Sequence, residues 1–295
     1  MHISNAPYEY EHELTENDFS SCCKDCRNSV AIIKPHITAF ARRIRGYTPQ
    51  ALEALTSEEL FRLYQLLDDL VHMDAGEHLA DLILNDPDIQ HELPIIRSYY
   101  RRFFRIHETH LAMELLKSTD PWETLKTFPL YSRYVTLVRN QVKAMDVDPG
   151  VRLAFIGSGP VPITLILMSH LYGLASVGLD SSSQAVEVSK NVVECLGLAK
   201  EIEIVHGNHC QLKQHHWDVV LVSALAEPKA RIFQSLREIL RERGNGLVIF
   251  RTYTGMRAVL YEPVQASDIQ GFRIVKVIYP TGRVNNTTIV AQLDG

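Results

Sequence analysis

The first half of the chain has the apolar spacing of helices. In Leu55–Val71, apolar residues recur at intervals of three and four, which is the period of one helix face. Thr56 or Ser57 can cap this helix, and Glu59 is placed to complete a capping box with Thr56. Similar patterns, separated by short polar segments with proline, continue to about residue 148. We therefore predict an all-helical N-terminal domain of about five or six helices over residues 1–148.

The second half alternates between strand and helix patterns. Short, nearly continuous apolar runs are separated by helical stretches, which is typical of a parallel sheet buried on both faces. The last two runs are predicted to pair antiparallel and close the sheet. The fold class is thus α/β, with a Rossmann-like sheet over residues 149–295 and the boundary near Asp146–Gly150. The predicted strands are Arg152–Ile156, Ala175–Leu179, Ile202–Val205, Val219–Ser223, Leu247–Arg251, Phe272–Tyr279 and Thr287–Gln292.

Composition narrows the class of protein. The 295 residues carry a formal net charge of -5, which argues against nucleic acid as the main partner. One basic cluster, Arg97–Arg105, is interpreted as the outer face of an amphipathic helix whose aromatic residues are buried. No apolar run approaches the ~18 residues that span a membrane, and the first residues are acidic and polar, unlike a signal peptide. We expect a cytoplasmic enzyme that binds no membrane.

Cysteine and histidine spacing does not predict a metal site. Cys22, Cys23 and Cys26 contain one C-x-x-C pair, but no second pair follows at zinc-ribbon spacing. The histidines of H-E-T-H, His107 and His110, lack the spacing of a zinc-protease helix. The remaining alternative that involves metal is a non-enzymatic protein that binds or senses metal through these cysteines and histidines.

Candidate ligand-binding residues follow the predicted strands, because ligands of open α/β sheets bind at the carboxyl ends of the strands. After the first strand, Gly157 and Gly159 allow the backbone to approach a ligand closely. Asp180, after the second strand, can accept both ribose hydroxyls or can instead cap the next helix. Asn208 is placed to read an adenine edge. The predicted cofactor-binding set from these loops is Gly157, Ser158, Gly159, Pro160, Asp180, Asn208, Ser223 and Ala224.

This arrangement indicates a nucleoside-containing ligand, with S-adenosylmethionine favoured over NAD. Pro160 and Pro162 restrict the turn and remove two amide donors that a pyrophosphate site would use. A dinucleotide-binding turn would also carry a third glycine, which is replaced here by proline-containing sequence.

Several segments in order resemble the nicotianamine synthases, including the bacterial nicotianamine synthase-like enzymes that make opine-type metallophores such as staphylopine and pseudopaline. Together the segments cover most of residues 128–280, and the helical half matches more loosely. They are Phe128–Leu137, Phe155–Thr164, Trp217–Leu225, Arg251–Val264 and Gly271–Pro280.

The resemblance implies a reaction. The 3-amino-3-carboxypropyl (aminobutyrate) group of S-adenosylmethionine passes to an amine, and methylthioadenosine leaves, in a closed cavity between a helical domain and a class I methyltransferase-type sheet. The chain length suits the microbial group, so we expect a single transfer to histidine in metallophore biosynthesis. An opine dehydrogenase would act next, and a homodimer is a compatible assembly. Nicotianamine synthase proper, using S-adenosylmethionine or glutamate as acceptor, and a small-molecule methyltransferase are the alternatives.

The resemblance also implies site residues. Tyr131, Tyr134, Arg251 and Arg257 are suited to hold the aminobutyrate arm, although the tyrosines could simply pack the interface. As catalytic residues it implies Tyr134 together with an acidic group facing the acceptor. Glu77, or Asp81 one helical turn later, is placed for that role, and an exposed helix carboxylate is the alternative for both. An acidic residue of the family after the Tyr134 segment is Gln141 here, so no catalytic role is assigned to that position.

Overall fold

A computed structural model describes residues 24–73, 76–146, 150–244 and 246–294. Within these ranges, seven helices precede the first strand, more than predicted, because three of them, Pro49–Glu53, Glu77–Leu84 and Pro121–Thr127, are too short to show a helical period. The helices are α1 Lys24–Arg45, α2 Pro49–Glu53, α3 Ser57–Val71, α4 Glu77–Leu84, α5 Pro87–Lys117, α6 Pro121–Thr127, α7 Tyr131–Met145, α8 Ile163–Tyr172, α9 Ser183–Cys195 and α10 Lys229–Arg243.

Two predictions for the helical half are confirmed: the capping box at Thr56 and the buried aromatic face of the basic cluster. At the start of α3, Thr56 Oγ1 accepts a hydrogen bond from Glu59 N, and Thr56 N donates to Glu59 Oε2 at 3.0 Å, which completes the capping box. The basic cluster lies on α5, where Tyr99 and Phe103 are buried while Arg101 and Arg105 are exposed. None of the described helices is long and apolar enough to cross a membrane.

Among the residues that the structure describes, the sheet has seven strands; numbered β1 to β7 along the chain, they lie side by side in the order β3-β2-β1-β4-β5-β7-β6. The first five pair in parallel, and β7 lies antiparallel between β5 and β6. This confirms the predicted fold class, a Rossmann-like, class I methyltransferase-type sheet preceded by helices. The strands are β1 Arg152–Ile156, β2 Ala175–Asp180, β3 Ile202–His206, β4 Val219–Val222, β5 Leu247–Thr252, β6 Phe272–Ile278 and β7 Thr287–Leu293.

The hydrophobic core joins the helices to the sheet. One cluster runs from Ile37 and Phe103 in the helical half to Leu153 and Ile166 in the sheet half. A second cluster, around Trp217, covers the other face of the sheet beneath α10. Residues 147–149, where the predicted domain boundary falls, lie outside the described residues. Because α5 shares the first cluster with β1, the helical half is held above the strand ends.

Candidate active site

A cavity of about 1080 Å³ lies at the carboxyl ends of β1 to β4, with α5 on its opposite wall. Pockets that hold small-molecule ligands are typically roughly 300–1,000 Å³, so this one has room for a nucleoside and a second small molecule. The predicted residues that line it are Gly157, Ser158, Gly159, Pro160, Asp180, Asn208, Ser223, Tyr134 and Arg251.

The loop after β1 is shaped by its glycines. Gly157 and Gly159 have φ values of 79° and 71°, in the left-handed region that favours glycine. A β-carbon on Gly157 would lie 3.0 Å from Ala226 Cβ, and one on Gly159 would lie 2.9 Å from Glu108 Oε2. The loop thus approaches both the turn after β4 and helix α5 more closely than a larger residue would allow.

The amides of this loop are bonded within the protein. Gly157 N and Ser158 N both donate to Leu179 O, at 2.8 and 3.1 Å. Gly159 N donates to Asp180 Oδ2 at 2.9 Å, and Pro160 has no amide donor. Few donors are left for a pyrophosphate, which agrees with the prediction of a nucleoside ligand rather than a dinucleotide.

Asp180 ties the loops after β1 and β2 together. Besides Gly159 N, its carboxylate accepts from Ser182 N at 2.9 Å. The helix cap of α9 is instead Ser182, whose side chain accepts from Ala185 N. The alternative in which Asp180 caps the helix is therefore wrong. Asp180 lies on the cavity wall with further lone pairs free to accept hydrogen bonds from a ligand.

The other predicted loop residues have mixed roles. Asn208 lines the cavity, and its side chain also accepts from Cys210 N at 2.9 Å, capping the 3-10 helix His209–Gln214. Ser223 also lines the cavity. Ala224 does not line it and instead borders a smaller neighbouring cavity.

Glu108 is an acidic residue that lines the cavity, as Asp180, Glu53 and Glu227 also do, and the sequence analysis missed it. It projects from α5 and hydrogen bonds to Tyr134. Burial, followed by the negative charge of Asp180, raises the pKa of Glu108 to about 8. A carboxyl group with a pKa near neutrality can exchange a proton with a substrate at the pH of the cell. A signal was present, since Tyr100, Phe104 and Glu108 follow one another at four-residue spacing on one face of a helix.

Arg251 and Tyr134 line the same cavity as Glu108. Arg251 is 6% exposed, and its Nη2 donates to Thr164 Oγ1 at 2.7 Å and to Gln141 Oε1 at 3.0 Å. Burial lowers the pKa of this guanidinium to about 10, still high enough to keep it charged at neutral pH. Burial raises the pKa of the Tyr134 phenol, so that this hydroxyl stays protonated. Because its side-chain oxygen accepts from Arg251 Nη2, Gln141 holds the guanidinium of Arg251 in position.

Four residues implied by the resemblance lie elsewhere. Glu77 and Asp81 are exposed on α4, which packs against the 3-10 helix Gly255–Val259, and neither lines the cavity. The structure therefore brings neither of them to this cavity, because α5, not α4, covers the strand ends. Tyr131 does not line the cavity either and packs against the core. Arg257 donates to the carbonyl oxygen of Val284, away from the cavity.

Within residues 24–73, 76–146, 150–244 and 246–294, no group of three or more histidine, cysteine or carboxylate side chains is arranged to hold a metal ion. Cys26 is described and partly buried, whereas Cys22 and Cys23 lie outside the described residues.

The family model and the curated relatives described below name the same family. A family model described as nicotianamine synthase protein matches residues 29–294. Nicotianamine synthase 1 of Arabidopsis thaliana is 23% identical over 240 residues, covering 77% of this chain and 74% of the relative. Nicotianamine synthase 1 of Hordeum vulgare is 31% identical over 201 residues, covering 63% of this chain and 60% of the relative. The chain thus spans between three fifths and three quarters of these two relatives.

Solved structures agree with the family model. A crystal structure of MtNAS in complex with MTA and tNA superposes with a TM-score of 0.82 at 33% identity, covering 88% of this chain and 97% of that one. A glutamate-to-glutamine variant of MtNAS in complex with S-adenosylmethionine has the same TM-score at 32% identity, covering 93% of this chain and all of that one. With a family model spanning most of its length and this close structural match, the chain belongs to the nicotianamine synthase family.

Proposed function

We propose that the cavity binds S-adenosylmethionine and that the protein transfers its 3-amino-3-carboxypropyl group to an amine, releasing methylthioadenosine. The observation that carries the proposal is the partly buried, hydrogen-bonded Glu108–Tyr134 pair, which lines the cavity together with the glycine loop and Arg251. The MtNAS crystals that contain S-adenosylmethionine, or MTA and tNA, support it for this chain by similarity.

The loops at the strand ends would hold the nucleoside. Gly157 and Gly159 let it lie against the backbone, Asp180 accepts the ribose hydroxyls, and Asn208 lies where the adenine edge would be. S-adenosylmethionine fits this site as a substrate, because the loop offers close approach and a carboxylate rather than free amides for phosphates.

The choice of the transferred group depends on how the sulfonium is oriented. Its sulfur carries three electrophilic carbons, and an enzyme selects one by placing the nucleophile in line behind it. The charged guanidinium of Arg251 and the phenol of Tyr134 lie on the wall where they can hold the carboxylate and amine of the aminobutyrate arm. An arm fixed in this way presents its γ-carbon, and not the methyl group, to the acceptor.

Glu108 would act as the general base. The acceptor amine is protonated at neutral pH and must lose a proton before it attacks. Its nitrogen then forms a bond to the γ-carbon while the carbon–sulfur bond breaks, so the sulfonium leaves as a neutral thioether and the proton remains on Glu108. The positive sulfonium favours ionised Glu108 when the substrate binds, which prepares the base at the correct step.

Histidine as acceptor, a single transfer, and a cytoplasmic role in opine-type metallophore synthesis followed by an opine dehydrogenase are the finer parts of the proposal. They rest on the resemblance of segments such as Phe155–Thr164. A homodimer belongs to the same set of proposals. The alternative within the family is nicotianamine synthase proper, in which S-adenosylmethionine or glutamate is the acceptor.

The test is to incubate the purified protein with S-adenosylmethionine and a panel of amino acids and to record nucleoside and product masses. Methylthioadenosine, with an amino-acid product heavier by one aminobutyrate group, is expected. S-adenosylhomocysteine as the sole nucleoside product would instead identify a methyltransferase.

A further inference from the structure

The guanidinium of Arg251 carries a buried positive charge that pairs with no carboxylate of the described residues. Its side chain projects from β5 and lines the cavity, with Cζ 5.5 Å from the centroid of the Phe155 ring. None of the ion pairs within 4.0 Å that the described residues form includes this guanidinium. Buried charges in proteins are almost always paired, because an ion without a counter-ion is costly to remove from water. An anionic group bound in the cavity would supply the counter-charge.

The two side chains that accept hydrogen bonds from Arg251 Nη2 are neutral. They are Gln141 and Thr164, which are 0% and 2% exposed. Glutamate has the size of glutamine and would place a carboxylate oxygen against the same nitrogen, where it would form a charge-assisted hydrogen bond. Gln141 Nε2, moreover, is a buried donor without a partner among the described residues, which lowers stability. A neutral amide at position 141 is therefore not the side chain that best stabilises the empty protein.

The other ionisable groups near Arg251 do not remove its charge. The groups whose charges act on the guanidinium are Tyr134, Tyr253 and Glu108. Burial raises the pKa of Glu108 to about 8 and holds the pKa of both phenols above the ordinary value, so all three are mainly protonated at neutral pH. The wall of the cavity at Arg251 therefore carries an uncompensated positive charge before a ligand binds.

We infer that Gln141 is a positioning residue whose neutral side chain keeps the charge of Arg251 available to the carboxylate of the sulfonium substrate. Gln141 lines neither cavity and acts only through the guanidinium that it orients. A carboxylate at position 141 would compete with the carboxylate of the substrate for the same guanidinium. The inference rests on the proposed function, since it requires the aminobutyrate arm of S-adenosylmethionine to reach Arg251.

The charges of the arm explain why a neutral side chain at position 141 affects specificity. The aminobutyrate arm carries one carboxylate and one ammonium, and it ends at the positive sulfonium. Arg251 attracts the carboxylate and repels the two cations, so an unpaired guanidinium favours a nucleoside with the full arm over one that has lost its carboxyl group. If a glutamate replaced Gln141, the net charge of the pair would be zero, and this preference would disappear.

The test compares the dissociation constants of S-adenosylhomocysteine and its decarboxylated analogue, measured by calorimetry at neutral pH. Both are unreactive thioethers, and they differ only in the carboxyl group. We expect the unmodified protein to bind S-adenosylhomocysteine about 10- to 100-fold more tightly than the analogue, the range of a hydrogen bond to a charged group. In Gln141→Glu this preference should fall at least about tenfold, whereas methylthioadenosine, which lacks the arm, should keep its affinity within about twofold.

Two control variants separate charge from contact. Gln141→Met is neutral and of similar size but removes the hydrogen bond to Arg251, and its preference for the carboxylate should stay within about threefold of that of the unmodified protein. Gln234→Glu, exposed on α10 and outside both cavities, adds the same charge as Gln141→Glu and should leave the preference unchanged.

Stability without ligand is measured by denaturant unfolding. Gln141→Glu should be at least as stable as the unmodified protein, because the new carboxylate pairs with a guanidinium that is already buried. If Gln141→Glu does not fold, Thr164→Asp takes its place, since it brings a carboxylate to the same Nη2 of Arg251 and should lower the preference in the same way.

Several results would overturn the inference. These are equal affinity of the unmodified protein for the two thioethers, an unchanged preference in Gln141→Glu, an equal loss of preference in Gln141→Met, or a folded Gln141→Glu that is less stable than the unmodified protein. Methylthioadenosine production together with any of these results would leave the proposed transferase intact and remove only the role of Gln141. S-adenosylhomocysteine as the sole nucleoside product from S-adenosylmethionine would contradict the transferase, and the two dissociation constants would still test the charge.

Discussion

Gly159 lies so close to Glu108 that a β-carbon added to it would come within 2.9 Å of Glu108 Oε2. The carboxyl of Asp180 binds the amide of the same glycine. Two carboxyl groups are thereby brought to one residue of the loop, one of them from a helix and the other from a strand end. This relationship fixes the position of Glu108, the proposed base, relative to Asp180, the residue proposed to bind the ribose.

Gly159→Ala should reduce methylthioadenosine production strongly, because the new methyl group displaces Glu108. The positive φ also costs about 1–2 kcal/mol of stability for a non-glycine residue. Gly173→Ala is the matched control, since Gly173 has φ 67° and nothing within 4 Å of its added β-carbon. Both variants should lose similar stability in thermal unfolding, and only Gly159→Ala should lose turnover. Equal turnover in the two would show that the contact with Glu108 is unimportant.

Glu108→Gln should lower turnover by about 100- to 10,000-fold, the usual contribution of a general base, while S-adenosylmethionine still binds. The amide keeps the size of the side chain but cannot take a proton. Turnover and nucleoside affinity are measured separately. Glu114→Gln, on the same helix but outside the cavity, serves as the control and should behave like the unmodified protein. Wild-type turnover in Glu108→Gln would remove the base from the mechanism.

Asp180→Asn should shift the pH dependence of turnover. The negative charge of Asp180 contributes to the raised pKa of Glu108, so its removal lowers that pKa. A base works in its ionised form, so the rising limb of kcat against pH should move to lower pH, and S-adenosylmethionine affinity should fall as well. Asp218→Asn, whose carboxylate binds Arg152 N at the opposite end of β1, is expected to leave the profile unmoved. If the rising limb of kcat against pH stays in place in Asp180→Asn, the charge of Asp180 does not influence the pKa of Glu108.

Tyr134→Phe should lower turnover about tenfold or more, while stability changes by only about 1 kcal/mol, because the lost hydroxyl contacts Glu108. Kinetics and thermal unfolding are compared on the same preparations. Tyr99→Phe removes another buried hydroxyl, one outside the cavity, and should leave the rate unchanged. If the two variants have the same rate, Tyr134 serves only packing.

Asp68→Ala should lower the free energy of unfolding by about 3–5 kcal/mol, since it leaves the guanidinium of Arg133, whose side chain is 14% exposed, without its bidentate partner. Although burial alone would raise it, the hydrogen bonds from Arg133 hold the pKa of Asp68 below its ordinary value. The stability from this pair is therefore fully present above the unfolded pKa, near 4, and is lost as pH falls through the folded pKa. Asp69→Ala, at an exposed neighbouring carboxylate, should cost less than about 1 kcal/mol in denaturant unfolding.

The sheet could be predicted from sequence because each buried parallel strand is a short apolar run bounded by turn residues. Arg152–Ile156 was predicted with the bounds that the structure has, and the other strands differ by one residue at an end. The strand-end residues followed from this, since their positions depend only on where each strand stops. Gly157 and Asp180 were located in this way.

The residues contributed by the helical half could not be located in the same way. Which helix covers the strand ends depends on packing between segments far apart in sequence, and periodicity shows only which face of a helix is buried. Glu77 and Asp81 are carboxylates, but they lie on α4, which does not line the cavity. Glu108 lies in the H-E-T-H segment, which the sequence analysis interprets only as a possible metal motif. The contact of Gln141 with Arg251 joins residues 110 positions apart and leaves no local pattern.

The number of helical residues in α5 ahead of Glu108 fixes where the carboxyl group of Glu108 lies. Tyr100, Phe104 and Glu108 follow one another along it at about one turn, or roughly 5–6 Å, per step. Inserting or deleting a single residue ahead of Glu108 would rotate it by about 100° around the helix axis and point it away from the cavity. The stretch between Pro94 and Glu108 therefore cannot change its number of residues without losing the site.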